Sequence, residues 1–211
     1  MWCWYFLWNH PNYNIVRWKD IQYKCKTGDL ILFHGLDNYN SIFTGCYYGH
    51  IGIVYRKTPK SKPYLFEAWN PVNEKFYPSE VRHGIAFTDL DNRIKTYRGY
   101  VFYKPLMHQI PDSINIEFYN FIYWAVHNMK YNTKVIRNGI NKLLLNDKLK
   151  VGTNCGELAY LSLIKLGLLN LENLHNNNKH HLNWTCNIKN LDNGNKYLEP
   201  VYVWQEYFKI K

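Results

Sequence analysis

The sequence predicts a single α+β domain, in which an antiparallel sheet from the first half of the chain packs against helices from the second half. Short apolar runs bounded by turn residues fill residues 27–103, whereas apolar residues recur at helical spacing over residues 113–130. A second apolar helix is expected over residues 154–169, with a cysteine on its first turn. A length of 211 residues with 46% hydrophobic residues suffices for one core and excludes global disorder.

Five strands are predicted in the first half, the first of them directly after the turn Thr27-Gly28-Asp29. They cover residues 30–33, 49–55, 64–69, 84–87 and 97–103. The strand 49–55 places His50, Gly52 and Val54 on one face and Ile51, Ile53 and Tyr55 on the other. The connection 56–62 is short, so strands 49–55 and 64–69 are expected to pair antiparallel, with His50 and Glu67 on the same face.

Two helices are predicted in the second half. Pro111-Asp112-Ser113 opens the first, which runs to about Lys130. Asn154 and Glu157 form an Asn-x-x-Glu variant of the capping box at the start of the second, and Gly167 offers a stop. Its almost unbroken apolar surface predicts that the second helix is buried.

Cys155 stands on the first turn of this second helix. The positive end of a helix dipole and free backbone amides favour a thiolate and place an oxyanion site beside it. Gly156 lets a substrate carbonyl approach the backbone closely. The alternative interpretation is that Cys155 is an inert small core residue, which is common for a single helix cysteine.

The net charge of +10, from 26 Lys and Arg against 16 Asp and Glu, raises the possibility of an acidic partner. The charge is scattered and no run of five basic residues occurs, so nucleic-acid binding is not favoured, although the charge does not exclude it. Five cysteines without a Cys-x-x-Cys pair argue against a disulfide framework or a structural zinc site. His180, His181 and Cys186 lack a fourth ligand and are interpreted as solvated loop residues. No cofactor is expected.

Two segments are set apart from the predicted core of the domain. Residues 1–24 form an aromatic N-terminal extension that lacks a basic region and a cleavage site, which predicts neither a signal peptide nor a membrane span. Its aromatic tip either packs on the domain or touches a membrane or a partner. Residues 170–194 form an asparagine-rich loop or insertion, which either covers a cleft or is disordered. A cytoplasmic location is expected, which for a viral protein means the host cytoplasm or the virion.

The segments TGDLILF (27–33), GHIGIVY (49–55), LFEAW (65–69) and NCGELAYLSL (154–163) resemble, in this order, a permuted papain-like amidase. That family belongs to the NlpC-like clan, with YiiX-type bacterial and poxviral members, and its histidine strand precedes its cysteine helix. The resemblance implies a circularly permuted papain-like fold with a partly barrelled antiparallel sheet. It also implies Cys155 as nucleophile, His50 as general base and Glu67 as the residue that orients the imidazole.

Two positions depart from the family's pattern. Gly156 follows Cys155, where the family often has a hydroxyl residue. Asn132 follows Tyr131, where the family usually has an aspartate. Neither departure removes a catalytic group. Independently of the family, a thiol nucleophile needs a base and a third group that fixes the base's tautomer. Without the resemblance, Glu67 is equally well explained as an exposed or salt-bridged strand residue.

These residues predict a thiol hydrolase, either an amidase or peptidase or an acyltransferase, that works through an acyl-enzyme on Cys155. The alternative is a non-catalytic module of the same fold that binds lipid or peptide. Aromatic side chains beside the catalytic segments, at Tyr47, Tyr48, Trp69 and Tyr131, predict a cleft for a peptide, an isopeptide or a lipid acyl chain. The oligomeric state stays open.

Overall fold

The computed structural model describes residues 13–35, 48–68, 84–131, 152–153, 155–169 and 207–211, and they form a mixed α and β architecture. The strands are β1 (Tyr13–Val16), β2 (Leu30–Gly35), β3 (His50–Tyr55), β4 (Tyr64–Ala68), β5 (Ile85–Asp89), β6 (Gly99–Lys104), β7 (Lys130–Tyr131), β8 (Gly152–Thr153) and β9 (Tyr207–Ile210). The helices are α1 (Trp18–Ile21), α2 (Leu90–Thr96), α3 (Asp112–Asn128) and α4 (Cys155–Lys165).

Seven strands form one sheet in the order β1-β9-β6-β2-β3-β4-β5. Every neighbouring pair is antiparallel except β1 and β9, which run parallel. Among the described strands β1 and β5 are the two edges and do not pair with each other, so the sheet is open between them. The short strands β7 and β8 form a separate parallel pair just before α4.

The two faces of the sheet carry two hydrophobic clusters, because side chains alternate along each strand. The first core cluster lies between the sheet and helices α3 and α4, and includes Leu30, Leu32, Ile51, Ile53, Phe66, Phe102, Phe118, Ile122, Leu158 and Leu161. The second core cluster lies on the opposite face, and includes Trp18, Ile21, Ile31, Phe33, Val54, Leu65, Leu90, Val101 and Ile210. The sheet is therefore apolar on both sides.

The turn before β2 is held by the buried carboxylate of Asp29. It accepts hydrogen bonds from the backbone N–H groups of Lys26 and Leu106, both at 2.8 Å, and from the hydroxyl of Tyr103 at 2.7 Å. Gly28 has a φ of +92°, a conformation that side chains rarely adopt. This turn thereby ties the start of β2 to β6 and to the chain after it.

Helix α4 ends where the sequence predicts a stop. Gly167 has a φ of +69°, and its N–H donates to the carbonyl of Ile164 at 2.9 Å. The N–H of Leu168 donates to the carbonyl of Leu163 at 2.8 Å, which completes a Schellman motif. All residues from Gly156 to Leu163 are buried, as the apolar surface predicts. The predicted cap residue Asn154 lies outside the described residues.

The strands and helices predicted above are all present, with bounds that shift by up to two residues, except that α4 ends at Lys165, four residues before the predicted end. The strand predicted at 84–87 covers Ile85–Asp89, and the one predicted at 97–103 covers Gly99–Lys104. The helix predicted at 113–130 covers Asp112–Asn128. Six described elements were not predicted: β1, α1, α2, β7, β8 and β9. Part of the segment that the sequence sets apart as an extension, residues 1–24, joins the sheet through β1.

Other predictions concern residues without a described structure. The aromatic residues 1–8 and the asparagine-rich segment 170–194 are outside the described ranges. Within those ranges, no helix combines the length and the apolar character that crossing a membrane requires.

Candidate active site

The structure brings Cys155, His50 and Glu67 together at one end of the sheet. His50 is the first residue of β3, and Cys155 is the first residue of α4, which packs on β3 and β4. Glu67 lies on β4 directly opposite Gly52 of β3. The antiparallel pairing therefore puts the carboxylate diagonally across from the imidazole on the same sheet face.

The imidazole of His50 is hydrogen-bonded to a carboxylate and to a thiol. Its Nε2 lies 2.6 Å from Oε2 of Glu67, and the ring is also hydrogen-bonded to the thiol of Cys155. Because Nε2 is engaged by the carboxylate, Nδ1 is the nitrogen left for the thiol. This is the geometry in which a carboxylate fixes the tautomer and orientation of a general base.

Gly52 leaves room for the contact between Glu67 and His50. A Cβ atom at this position would lie 2.8 Å from Cδ1 of Leu65 and 3.2 Å from Cβ of Glu67. Any side chain here would therefore displace the residues of β4 that set the position of the carboxylate.

The pKa of the Cys155 thiol is lowered from its ordinary value of 9.0. Burial acts in the opposite direction, but the hydrogen bond and the charge of His50 outweigh it. The backbone N–H groups of Ile51 and Gly156 also bond to the sulfur and stabilise its anion. The site therefore favours a thiolate.

His50 and Glu67 are both shifted toward their charged forms. Burial lowers the pKa of His50, but its bonds to Cys155 and Glu67 prevail and raise the pKa to about 9. Burial raises the pKa of Glu67, but the charge of Arg93 and the bond to His50 prevail and lower it to about 2. Both shifts favour an imidazolium at His50 and a carboxylate at Glu67.

Arg93 also belongs to the candidate site, although it was not predicted from the sequence. This side chain is 5% exposed, and its Nε donates to Oε1 of Glu67 at 2.7 Å, while Nη2 donates to Oε2 at 3.2 Å. Leu90, Arg93, Ile94 and Tyr97 follow helical spacing and place an arginine on a short apolar stripe, but seven helical residues are too few for periodicity alone to predict the helix. A charged residue on such a stripe indicates a buried partner of opposite charge.

The aromatic residues predicted to wall the cleft have different environments. The prediction was wrong for Tyr48, which is fully buried in the first core cluster and packs edge-on against Phe102 at 5.1 Å. Tyr131 is half-buried close to Cys155, and burial together with the thiolate charge raises its pKa to about 12. Tyr47 and Trp69 lie outside the described residues.

The described part of the chain contains no group of three or more His, Cys, Asp or Glu side chains that could hold a metal ion. His180, His181 and Cys186 are outside it. His127 is an exposed residue of α3, and its Nδ1 lies 2.7 Å from the carbonyl oxygen of Tyr123.

Comparison with known proteins finds similarity at the level of structure. No protein-family model and no curated protein matches the chain. Among solved structures, it is similar to the crystal structure of the metalloprotein YiiX from Escherichia coli O157:H7, with a TM-score of 0.47 and 15% sequence identity. The similarity covers 88% of this chain and 96% of that chain. The description as a metalloprotein belongs to that protein.

Proposed function

We propose that the protein is a cysteine hydrolase or acyltransferase, with Cys155 as nucleophile, His50 as general base and Glu67 as the residue that orients His50. The observation that carries this proposal is the hydrogen-bonded line from the thiol through the imidazole to the buried carboxylate. A thiol at the start of a helix with a lowered pKa matches the requirements of covalent catalysis. We also propose that the fold is the permuted papain-like fold that the sequence motifs resemble.

The chemistry proceeds through a thioester. The Cys155 sulfur attacks the carbonyl carbon of an amide, isopeptide or ester, and the carbonyl oxygen becomes an oxyanion near the amide groups at the start of α4. Protonated His50 gives its proton to the leaving nitrogen or oxygen as the bond to carbon breaks. Water or another acceptor, deprotonated by His50, then attacks the thioester and releases the acyl group.

The substrate class follows from what this chemistry accepts. We propose an acyl bond in a peptide, an isopeptide-linked conjugate or a lipid, within the cytoplasm. Tyr131, half-buried near the thiol, offers an aromatic surface to the acyl group.

The test of the nucleophile is site-resolved thiol labelling. Iodoacetamide at pH 6, followed by peptide mapping, reports each of the five cysteines separately. Cys155 should react about tenfold faster than in His50→Ala, because that variant loses the hydrogen bond and the charge that lower the thiol pKa. Cys25 is an internal control, since it is buried and burial raises its pKa. Reaction of Cys155 at the same rate in both proteins would contradict the proposal.

The test of catalysis is turnover on three substrate types: fluorogenic acyl esters, peptide amides and isopeptide-linked conjugates. Release of product by the wild type and its loss in Cys155→Ala are the expected results. Reactive Cys155 without turnover on any of the three would instead support the binding module. Cell-wall muropeptides are assayed as a separate fourth substrate, and a Cys155-dependent rate confined to them would contradict the cytoplasmic substrate.

A further inference from the structure

We propose that Arg93 is a positioning residue that keeps Glu67 ionised and aims one of its oxygens at His50. This inference rests on the proposed function, because it extends the Cys155, His50 and Glu67 line by one residue. Arg93 acts through Glu67 and has no role in bonding to substrate.

The position of Arg93 is fixed by a short helix laid over the sheet. Helix α2 follows the edge strand β5 directly, and the side chain of Asp89 caps it by accepting from the N–H of Asn92 at 3.0 Å. A bond from the indole Nε1 of Trp18 to Asp91, 2.7 Å long, joins α2 to α1. Leu90 and Arg93 are the buried residues of α2, so the guanidinium of Arg93 lies beside the second core cluster.

Two aromatic rings hold the guanidinium in place. Its central carbon lies 4.4 Å from the ring centre of Phe33 and 5.1 Å from that of Tyr97. Both distances are within the range of cation–π contact. Phe33 also packs against the imidazole of His50, with ring centres 5.4 Å apart. The same phenyl ring therefore constrains both partners of Glu67.

The two oxygens of Glu67 are divided between these partners. Oε1 takes the shorter arginine bond of 2.7 Å, whereas Oε2 takes the longer one of 3.2 Å and lies 2.6 Å from Nε2 of His50. A planar guanidinium with two donors fixes both the position and the rotation of a carboxylate. A lysine could supply the charge but could not set this rotation.

The charge of Arg93 is also needed because Glu67 is 1% exposed. A carboxylate buried without a cation takes up a proton, since burial disfavours its charged form. A neutral Glu67 would no longer stabilise the imidazolium of His50. The proton would then return from His50 to Cys155, and the thiolate would be lost at neutral pH.

The pH dependence of Cys155 alkylation tests this inference, because an arginine that served packing alone would leave it unchanged. In Arg93→Met the inflection should move toward the ordinary thiol value of 9.0, with at least about a tenfold loss of rate at pH 6. Arg93→Lys should give an intermediate inflection. Lys95→Met is the matched control, since this exposed cation of the same helix pairs with Asp91 at 2.6 Å, and its profile should equal that of wild type.

Four outcomes would overturn the inference. A folded Arg93→Met with the wild-type profile would show that Arg93 serves packing alone, and an inflection at lower pH would show that it opposes the imidazolium. Should Arg93→Met fail to fold, an Arg93→Lys profile identical to wild type overturns the orienting role. If wild-type Cys155 itself titrates as an ordinary thiol, the proposed function fails as well, which separates the two failures.

Discussion

At the scale of single residues, the proposed function depends on a proton that Cys155 gives to His50. The two charged forms coexist from the lowered pKa of the thiol up to the pKa of His50 at about 9. Because the folded state raises the pKa of His50 above its ordinary 6.5, this group stabilises the fold fully below pH 6.5, and the contribution is lost as the pH rises through about 9.

Turnover should therefore fall above pH 9 while alkylation of Cys155 should not. The leaving group needs the proton on His50, but the thiolate persists after that proton is gone. The measurement is a pair of pH profiles, kcat/KM for the best substrate and the alkylation rate, on the same wild-type protein. Turnover that keeps increasing beyond pH 9 would show that His50 is not the acid.

Gly52 is the residue whose replacement best tests the position of Glu67. In Gly52→Ala, the new methyl group meets Leu65 and Glu67, so the carboxylate moves and turnover should drop by about a hundredfold. Overpacking should also destabilise the fold by about 1–3 kcal/mol.

Gly167→Ala provides the control for a glycine that has no part in the site. Its Cβ has open space, but the φ of +69° is strained, so this variant should lose about 1 kcal/mol or more of stability and keep its turnover. Urea unfolding and kcat/KM, measured on both variants, separate the two effects. Equal turnover in both variants would exclude a positional role for Gly52.

At the scale of elements, Asp29 connects β2 with β6 and with the chain that leads to α3. Burial raises the pKa of this carboxyl to about 7, so at pH 8 it is ionised and accepts from Lys26, Leu106 and Tyr103. Asp29→Asn replaces one acceptor oxygen by an amide that faces a donor. The variant should lose about 1–3 kcal/mol in urea unfolding at pH 8.

Asp20→Asn is the control for this loss of a carboxylate. Asp20 pairs with Arg17 at 2.8 Å on the exposed surface, where an ion pair contributes about 1 kcal/mol or less. The two variants remove the same charge from a chain of net charge +10, so a general charge effect would change both equally. A loss for Asp29→Asn no larger than for Asp20→Asn would refute the anchoring role.

How far the sequence predicts each element depends on the distance of its partners along the chain. Strands β2, β3 and β4 and helices α3 and α4 have a periodicity visible in their own residues, and all were predicted. Strand β9 has four residues, and its partners β1 and β6 lie about a hundred or more positions away. Strand β9 forms through pairing with these distant strands, which no local sequence pattern indicates. Helix α2, with seven residues, is also too short for periodicity alone.

The same reasoning applies to the candidate site. The motifs around His50, Glu67 and Cys155 placed three residues that the structure brings together. Arg93 escaped prediction because its role follows from how α2 lies on the sheet, and that placement is a tertiary property. Tyr48 was misassigned because sequence proximity to His50 does not say which face of the sheet a side chain enters.

At the scale of the whole molecule, the site joins the two faces of the sheet. Helix α4, which carries Cys155, packs in the first core cluster, whereas Phe33 and the residues that surround Arg93 belong to the second. The hydrogen bond between thiol and imidazole is the point at which the two faces meet. Neither face alone holds a complete site.

Because the site draws on both faces of the sheet, the reactivity of the Cys155 sulfur reports whether the two core clusters unfold together. If the helices on either face of the sheet move relative to it, the Cys155 thiol separates from the imidazole of His50, even while most of the strand pairing remains. Cys155 should therefore lose its enhanced nucleophilicity on heating before circular dichroism records melting, if the layers come apart in sequence. Coincident transitions would instead show that the layers open as one unit.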